Sequence, residues 1–169
     1  VRVFVNFHKN AVRAGSDIVR PTAFLFTGSD ASDIGWCNMQ WPPDTSTSVG
    51  VATEPLFGRV FVSGVTEPRG ACGPGVLAQV GYGPRGTNPS TTHGWTWEGA
   101  FCNTLCAADS CGDNDEYMTT LTIDTAGDYA MAYRFSRDGG ITFRYCDTGG
   151  SMSGDLYRTS DESDLTVTP

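Results

Sequence analysis

The sequence predicts an all-β protein, a single antiparallel β-sandwich with immunoglobulin-like layering and disulfide-stapled loops. Three observations support this prediction. Short runs of alternating apolar and polar residues recur along the chain, clusters of turn-forming residues separate them, and six cysteines lie among them. No window shows the apolar stripe of period 3.6 that marks an amphipathic helix. Seven to nine short strands with this alternation are typical of a sandwich.

The alternation locates the individual strands. It occurs at residues 1–7, 21–27, 57–65, 75–82, 116–124, 128–136 and 141–146. The predicted apolar face of 128–136 comprises Tyr129, Met131, Tyr133 and Phe135, and that of 141–146 comprises Ile141, Phe143 and Tyr145. Arg137 to Gly140 predicts a tight hairpin turn, because Asp-Gly and Gly-Gly tolerate positive φ. Residues 160–169 predict either a frayed tail or a final edge strand.

The cysteines indicate an oxidising compartment. Six cysteines are an even set, and the chain starts at Val1 rather than at methionine, so we expect a secreted, processed protein found extracellularly or at the cell surface. A zinc site is less consistent with the spacing, because the cysteines form no CxxC pairs and both histidines lie far from any cysteine pair. The six positions are Cys37, Cys72, Cys102, Cys106, Cys111 and Cys146.

Composition narrows the classes of function. The 169 residues carry a formal net charge of -8, which disfavours contact with phosphate backbones, so nucleic acid is not an expected partner. No apolar run approaches the ~20 residues of a membrane span, so we expect no membrane insertion. The sequence contains no phosphate loop or cofactor fingerprint, and we expect no cofactor.

A set of motifs resembles a known kind of module. In order, they are GWCNMQWPP at 35–43, GVTEP at 64–68, AQVGYGP at 78–84, WTW at 95–97, DNDEYM at 113–118, YRFS at 133–136 with DGG at 138–140, and YCD at 145–147. This series is similar to a secreted β-sandwich module of myxobacterial extracellular proteins and to accessory modules of bacterial amylopullulanases. It covers roughly residues 36–147. The whole chain is then one domain, with residues 1–35 as N-terminal strands or an extension and residues 148–169 as a C-terminal segment.

The resemblance also leads to an expected pairing of the cysteines. Cys37 and Cys146 bracket the region of resemblance, so a bridge between them is expected to tie its first strand to its last long strand. The other four cysteines allow three pairings, and we favour Cys72 bonded to one member of the insert at 102–111, with the remaining two closing a small ring. The insert, Cys72 and the first 35 residues depart from the pattern of the module.

Two tryptophans are the best candidates for ligand binding. Trp95 and Trp97 lie two residues apart on an expected strand, so both rings project from one face. Exposed indoles on one face would suit stacking against sugar rings, whereas buried indoles would fill the sandwich interior. Trp36 and Trp41 flank Cys37 and are expected to cover its disulfide.

Metal binding and catalysis find less support. Asp113, Asp115 and Glu116 form an oxygen-rich cluster and are a weak calcium candidate. The spacing of a twelve-residue calcium loop is absent, and we favour a loop-to-strand turn as the explanation of the cluster. Neither His8 nor His93 has a recognisable serine or cysteine partner, and we predict no enzymatic activity.

The first strand is the candidate for assembly. Residues 1–7 are strongly β-prone, with Val1, Val3, Val5 and Phe7 on one face. The strand either pairs within its own sheet or adds to a neighbouring copy. We therefore predict a structural or adhesive module that self-associates or binds other surface proteins, with carbohydrate binding through Trp95 and Trp97 as the alternative.

Overall fold

The computed structural model describes residues 31–152 and 157–169, and almost all of its regular structure is β. The strands predicted at 1–7 and 21–27, with Val1, Val3, Val5 and Phe7, lie outside the described residues. The strands are β1 (Trp36–Trp41), β2 (Asp44–Ser48), β3 (Leu56–Phe61), β4 (Leu77–Pro84), β5 (Thr96–Cys102), β6 (Asp115–Thr119), β7 (Gly127–Ser136), β8 (Arg144–Cys146), β9 (Ser151–Met152) and β10 (Ser163–Thr168). The helix α1 (Thr104–Asp109) follows β5, and 3₁₀ turns lie at Ala31–Asp33 and Thr159–Asp161.

These strands form one sheet in the order β2-β10-β7-β4-β5-β6-β3-β1-β9, with β8 paired beside β7. The pairings are antiparallel except that of β10 with β2, which is parallel. The prediction of an all-β, antiparallel fold is therefore confirmed. The C-terminal residues are neither a tail nor an edge strand, because β10 lies between β2 and β7.

The sheet folds over so that two layers face each other. β9, β1, β3 and β6 form the smaller layer, and β2, β10, β7, β4 and β5 form the larger one. β5 connects the layers by pairing with β4 along most of its length and with β6 at its end. This continuity makes the sandwich close to a barrel.

The core lies between the layers and follows the predicted alternation. On β7, Met131, Tyr133 and Phe135 are fully buried, as predicted, and Ala130 and Ala132 on the opposite face are buried as well. On β3 the buried positions alternate with partly exposed ones from Leu56 to Phe61. The largest buried side chains come from both layers and include Ile34, Met39, Leu56, Ile123, Met131, Tyr133, Phe135 and Leu165.

The strand predicted at 141–146 is shorter than expected. Only Arg144–Cys146 pairs with β7, and Ile141, which is 71% exposed, lies outside the strand in which it was predicted. The cause lies in the preceding turn, where Gly139 and Gly140 adopt φ of 73° and 93°. The Asp138 carboxylate accepts the backbone N–H groups of Ile141 and Thr142, which therefore need no strand partner.

Tyr133 fixes how closely the two layers approach. Its ring lies directly against Gly58 of β3, where an added Cβ atom would be 2.3 Å from the ring. Its hydroxyl donates to the carbonyl oxygens of Leu56 at 2.7 Å and Tyr117 at 3.1 Å. The larger layer is thereby hydrogen-bonded to two strands of the smaller one through a single buried side chain.

Three disulfides pin the strands and the insert. The structure pairs Cys37 of β1 with Cys146 of β8, Cys72 with Cys102, and Cys106 with Cys111. The first closes a loop with a sequence separation of 109 residues, which the chain-entropy treatment values at about 4–5 kcal/mol. The other two follow the arrangement favoured from the sequence, with Cys72 bonded into the insert and a small ring within it.

We expect Tyr133→Phe to lower the free energy of unfolding by about 1–3 kcal/mol, because the carbonyls of Leu56 and Tyr117 lose a shared buried donor. Chemical denaturation of the oxidised protein measures this. The matched control is Tyr129→Phe, which removes a hydroxyl bonded at 3.0 Å to the exposed Thr125 carbonyl and should change stability by less than about 0.5 kcal/mol. Equal effects of the two variants would contradict a special role for Tyr133.

Candidate functional site

The outer face of the smaller layer carries a row of large apolar side chains. Strand register places Trp41 opposite Phe57, Phe57 opposite Met118, and Met118 opposite Phe101, so the row crosses β1, β3, β6 and β5. Directly opposed side chains have Cβ atoms about 4.5–5.5 Å apart, which makes these four residues neighbours. We call Trp41, Phe57, Met118 and Phe101 the apolar row.

The two ends of the apolar row are strongly exposed. Trp41 is 55% exposed and Phe101 is 75% exposed, while Phe57 and Met118 are partly buried between them. Leu105, on the helix that follows β5, is a further exposed apolar side chain, with 84% of its surface accessible. Contiguous apolar surface of this kind marks interaction sites in soluble proteins.

A β-bulge places Trp41 in the row. The register of β1 against β3 shifts between Met39 and Trp41, so Trp41 rather than Gln40 lies opposite Phe57. Cys37 is fully buried and its register partner Val60 faces the core. The expectation that Trp41 covers the Cys37 disulfide was therefore wrong, because Trp41 lies in the outer row opposite a partly exposed residue.

The row is bordered by an ion pair on the same outer face. Arg59 Nε donates to Glu116 Oε2 at 2.8 Å, and Asn103 Nδ2 donates to Glu116 Oε1 at 2.7 Å. Arg59 also lies 3.6 Å from Cys106 Sγ. These contacts link β3, β6 and the start of the insert beside Phe57 and Met118.

Trp95 and Trp97 lie on the outer face of the larger layer rather than in the sandwich interior. Each packs on a glycine of β4, since a Cβ atom added at Gly83 or Gly81 would lie 2.5 Å from the respective indole. Both tryptophans are partly buried. Their ring planes are 20° apart with centroids 5.6 Å apart, an offset arrangement.

The surroundings of Trp97 limit it as an open platform. The Arg134 guanidinium lies over its ring at 4.1 Å and over the Phe143 ring at 3.9 Å, and Tyr145 meets Trp97 edge-on. Burial lowers the pKa of Arg134, a group that remains charged. Trp97 is thus enclosed by Gly81 and Arg134, and Trp95 meets Tyr157 edge-on and donates from Nε1 to Thr87 Oγ1 at 3.1 Å.

The three carboxylates proposed as a calcium site do not converge. Asp115 and Glu116 are consecutive residues of β6, so their side chains point to opposite faces. Asp115 Oδ2 accepts the backbone N–H of Gly73 at 2.6 Å, Glu116 binds Arg59, and Asp113 is exposed. Burial raises the pKa of Asp115, and the bond from Gly73 opposes that rise. The three side chains therefore do not share one site in this structure, and calcium binding by them stays a prediction.

Within the described residues, one group of potential metal ligands does come together, namely Cys106, Cys111 and Glu116, with ligand atoms within 4.8 Å of one another. The two sulfurs are bonded to each other in the disulfide, so neither is available as a thiolate ligand. Glu116 is already bound by Arg59 and Asn103. This cluster is explained by the structural bridge.

Comparisons with protein-family models, curated proteins and solved structures find no match for this chain. The resemblance to myxobacterial and amylopullulanase-associated modules therefore stays a prediction. Among the described helices, none has the length and apolar character needed to cross a membrane. Three disulfides fit an extracellular protein.

We expect Trp97→Ala to lower the free energy of unfolding by about 2 kcal/mol, since the change strips contacts from Gly81 and Arg134 at a half-buried site. Thermal or chemical unfolding measures the loss. Phe101→Ala is the control on the same strand and should cost less than about 0.5 kcal/mol, because that ring is 75% exposed. A neutral Trp97→Ala would show that the indole is not structural.

Proposed function

We propose that this protein is a secreted, non-catalytic structural or adhesive module that acts by assembly with other protein surfaces, including further copies of itself. The observation that carries the proposal is the apolar row of Trp41, Phe57, Met118 and Phe101 on the outside of the smaller layer. Aromatic residues and methionine are enriched in protein interfaces, and charged residues are depleted at their centres.

The energetics favour a contact rather than a solvated surface. Burying a large apolar side chain contributes roughly 1.5–3 kcal/mol, so covering both exposed ends of the row would provide a substantial part of a specific association. The net charge of -8 opposes indiscriminate self-association, which makes the uncharged row the favourable point of contact. The three disulfides support action outside the cell, where such bridges persist.

The double variant Trp41→Ser with Phe101→Ser should weaken self-association at least tenfold, because it removes the two most exposed large side chains of the row. Sedimentation velocity from micromolar to millimolar concentration measures this. Ile141→Ser is the control, since Ile141 is 71% exposed but lies outside the row. A wild-type protein that stays monomeric throughout this range would overturn assembly by self-association.

Carbohydrate binding through Trp95 and Trp97 is the second proposal. The observation in its favour is that the two indoles are nearly parallel on one outer face and neither is fully buried. Aromatic faces of this kind supply contact area to sugar rings. The partner would be a polysaccharide of α-glucan type.

The variant Trp95→Ala with Trp97→Ala should then lose retention on insoluble α-glucan. The variant of the apolar row, Trp41→Ser with Phe101→Ser, should keep that retention. Affinity electrophoresis in gels containing the glucan gives the first readout, and far-UV circular dichroism verifies that both variants are folded. Wild-type protein that migrates identically with and without glucan would refute this second proposal.

A further inference from the structure

The sheet is open along part of the junction between β5 and β6. β5 pairs with β4 from Thr96 to Ala100, but it pairs with β6 only through Phe101 and Cys102. Within residues 31–152 and 157–169, no backbone hydrogen bond joins Thr96–Gly99 to any segment other than β4. The edge of β5 at these residues is therefore a free strand edge.

A second free edge lies across the gap. The chain continues from β6 through Thr119–Thr122, and its backbone bonds run to the opposite side, where Thr53 N–H donates to the Leu121 carbonyl and Ala52 pairs with Thr122. We call the opening between Thr96–Gly99 and Thr119–Thr122 the seam. Unpaired edges of this kind accept an added strand.

The inner side of the seam is a polar cleft of about 330 Å³. It is lined by Tyr82, Thr96, Glu98, Thr119, Thr120, Leu121 and Thr122. In the described part of the chain, the side chains of the four threonines and of Glu98 form no hydrogen bond, and the Glu98 carboxylate has no cationic partner. The cleft therefore presents one unpaired negative charge and several unused hydroxyl groups.

The two sides of the β5 edge differ in polarity. Thr96 and Glu98 point toward the cleft, whereas Trp97 and Gly99 lie on the outer face beside Trp95. A strand added to this edge would alternate between the same two environments, because successive side chains of a strand point to opposite faces. The suitable strand has apolar residues on one face and a cationic or amide residue on the other.

The distribution of charge identifies a matching segment. Four of the 11 Lys and Arg residues and two of the 19 Asp and Glu residues lie within residues 1–30, so this segment carries +2 and residues 31–169 carry -10. Residues 1–7 alternate Val1, Val3, Val5 and Phe7 with Arg2, Phe4 and Asn6. Arg2 is thus the cation on the polar face of a β-prone segment.

We propose that residues 1–7 of a second copy add as a strand to the free edge of β5, with Arg2 beside Glu98 and the valines on the side of Trp97 and Gly99. This inference rests on the proposed function, for which it names the acceptor site. Main-chain hydrogen bonds along Thr96–Gly99 provide affinity, and the Arg2–Glu98 ion pair sets the register. The polar cleft receives Arg2.

A charge-reversal series on the full-length oxidised protein tests the pairing. Arg2→Glu and Glu98→Arg should each weaken self-association at least tenfold, because each places like charges together in the seam. The protein carrying both substitutions should associate within about threefold of wild type. Asp44→Arg is the control, because it reverses an exposed carboxylate on β2, remote in the sheet order from the seam.

Mixing the two single variants shows which copy supplies the strand. Strand exchange predicts that Arg2→Glu protein and Glu98→Arg protein, each weakly associating alone, associate with one another, since opposite charges meet at every contact between the two. Sedimentation velocity with one component fluorescently labelled measures this. Failure of the mixture to associate, when the protein with both substitutions does associate, overturns donation by a second copy.

The remaining outcomes separate this inference from the proposed function. If the wild type self-associates and the Arg2→Glu, Glu98→Arg and Asp44→Arg proteins each self-associate equally strongly, the seam is overturned as the acceptor. Assembly through the apolar row is then left standing. A wild-type protein that is monomeric at every concentration overturns assembly itself. Loss of association in the Asp44→Arg control to the same extent as in Glu98→Arg shows a general charge effect and also overturns the seam.

Discussion

The contact of Tyr133 with Gly58 sets the spacing on which the rest of the structure depends. A tyrosine ring from the larger layer occupies the space that any β-carbon on Gly58 would need, so the layers approach closely at this point. Burial raises the pKa of the Tyr133 hydroxyl, with Glu116 contributing in the same direction, so the group remains a hydrogen-bond donor to the carbonyls of Leu56 and Tyr117. Phe135 stacks on Tyr133 with planes 19° apart and extends this contact through the core.

The disulfides connect the surface segments covalently to this packed core. The Cys37–Cys146 bridge joins β1 to β8 across the layers, so the strand that carries Trp41 is tied covalently to the larger layer. The bonds Cys72–Cys102 and Cys106–Cys111 hold both ends of the insert, whose helix exposes Leu105. An ordered surface loses less conformational entropy on binding, which suits an assembly module.

The outer faces of the two layers are built in different ways. On the larger layer, Gly81 and Gly83 leave room for two indoles to lie against the sheet, and Arg134 fills the space between Trp97 and Phe143. On the smaller layer, the side chains of the apolar row project from the strands with no comparable cover at Trp41 and Phe101. The tryptophan pair is therefore held against its sheet, whereas the ends of the row remain exposed.

The sequence by itself determined the fold class and most of the strands, because period-two alternation is a local property of a strand that has one buried face. It also determined the turn at Gly139 and Gly140, since positive φ is a property of individual residues. That the side chains of Asp115 and Glu116 point to opposite faces could have been predicted from the sequence, because consecutive residues of a strand face opposite sides.

Only the tertiary structure decided the apolar row and the seam. Both depend on which strands are neighbours and in what register, and those pairings join residues as distant as Trp41 and Phe101. The same reason explains β10, whose place between β2 and β7 is fixed by partners on both sides rather than by its own residues.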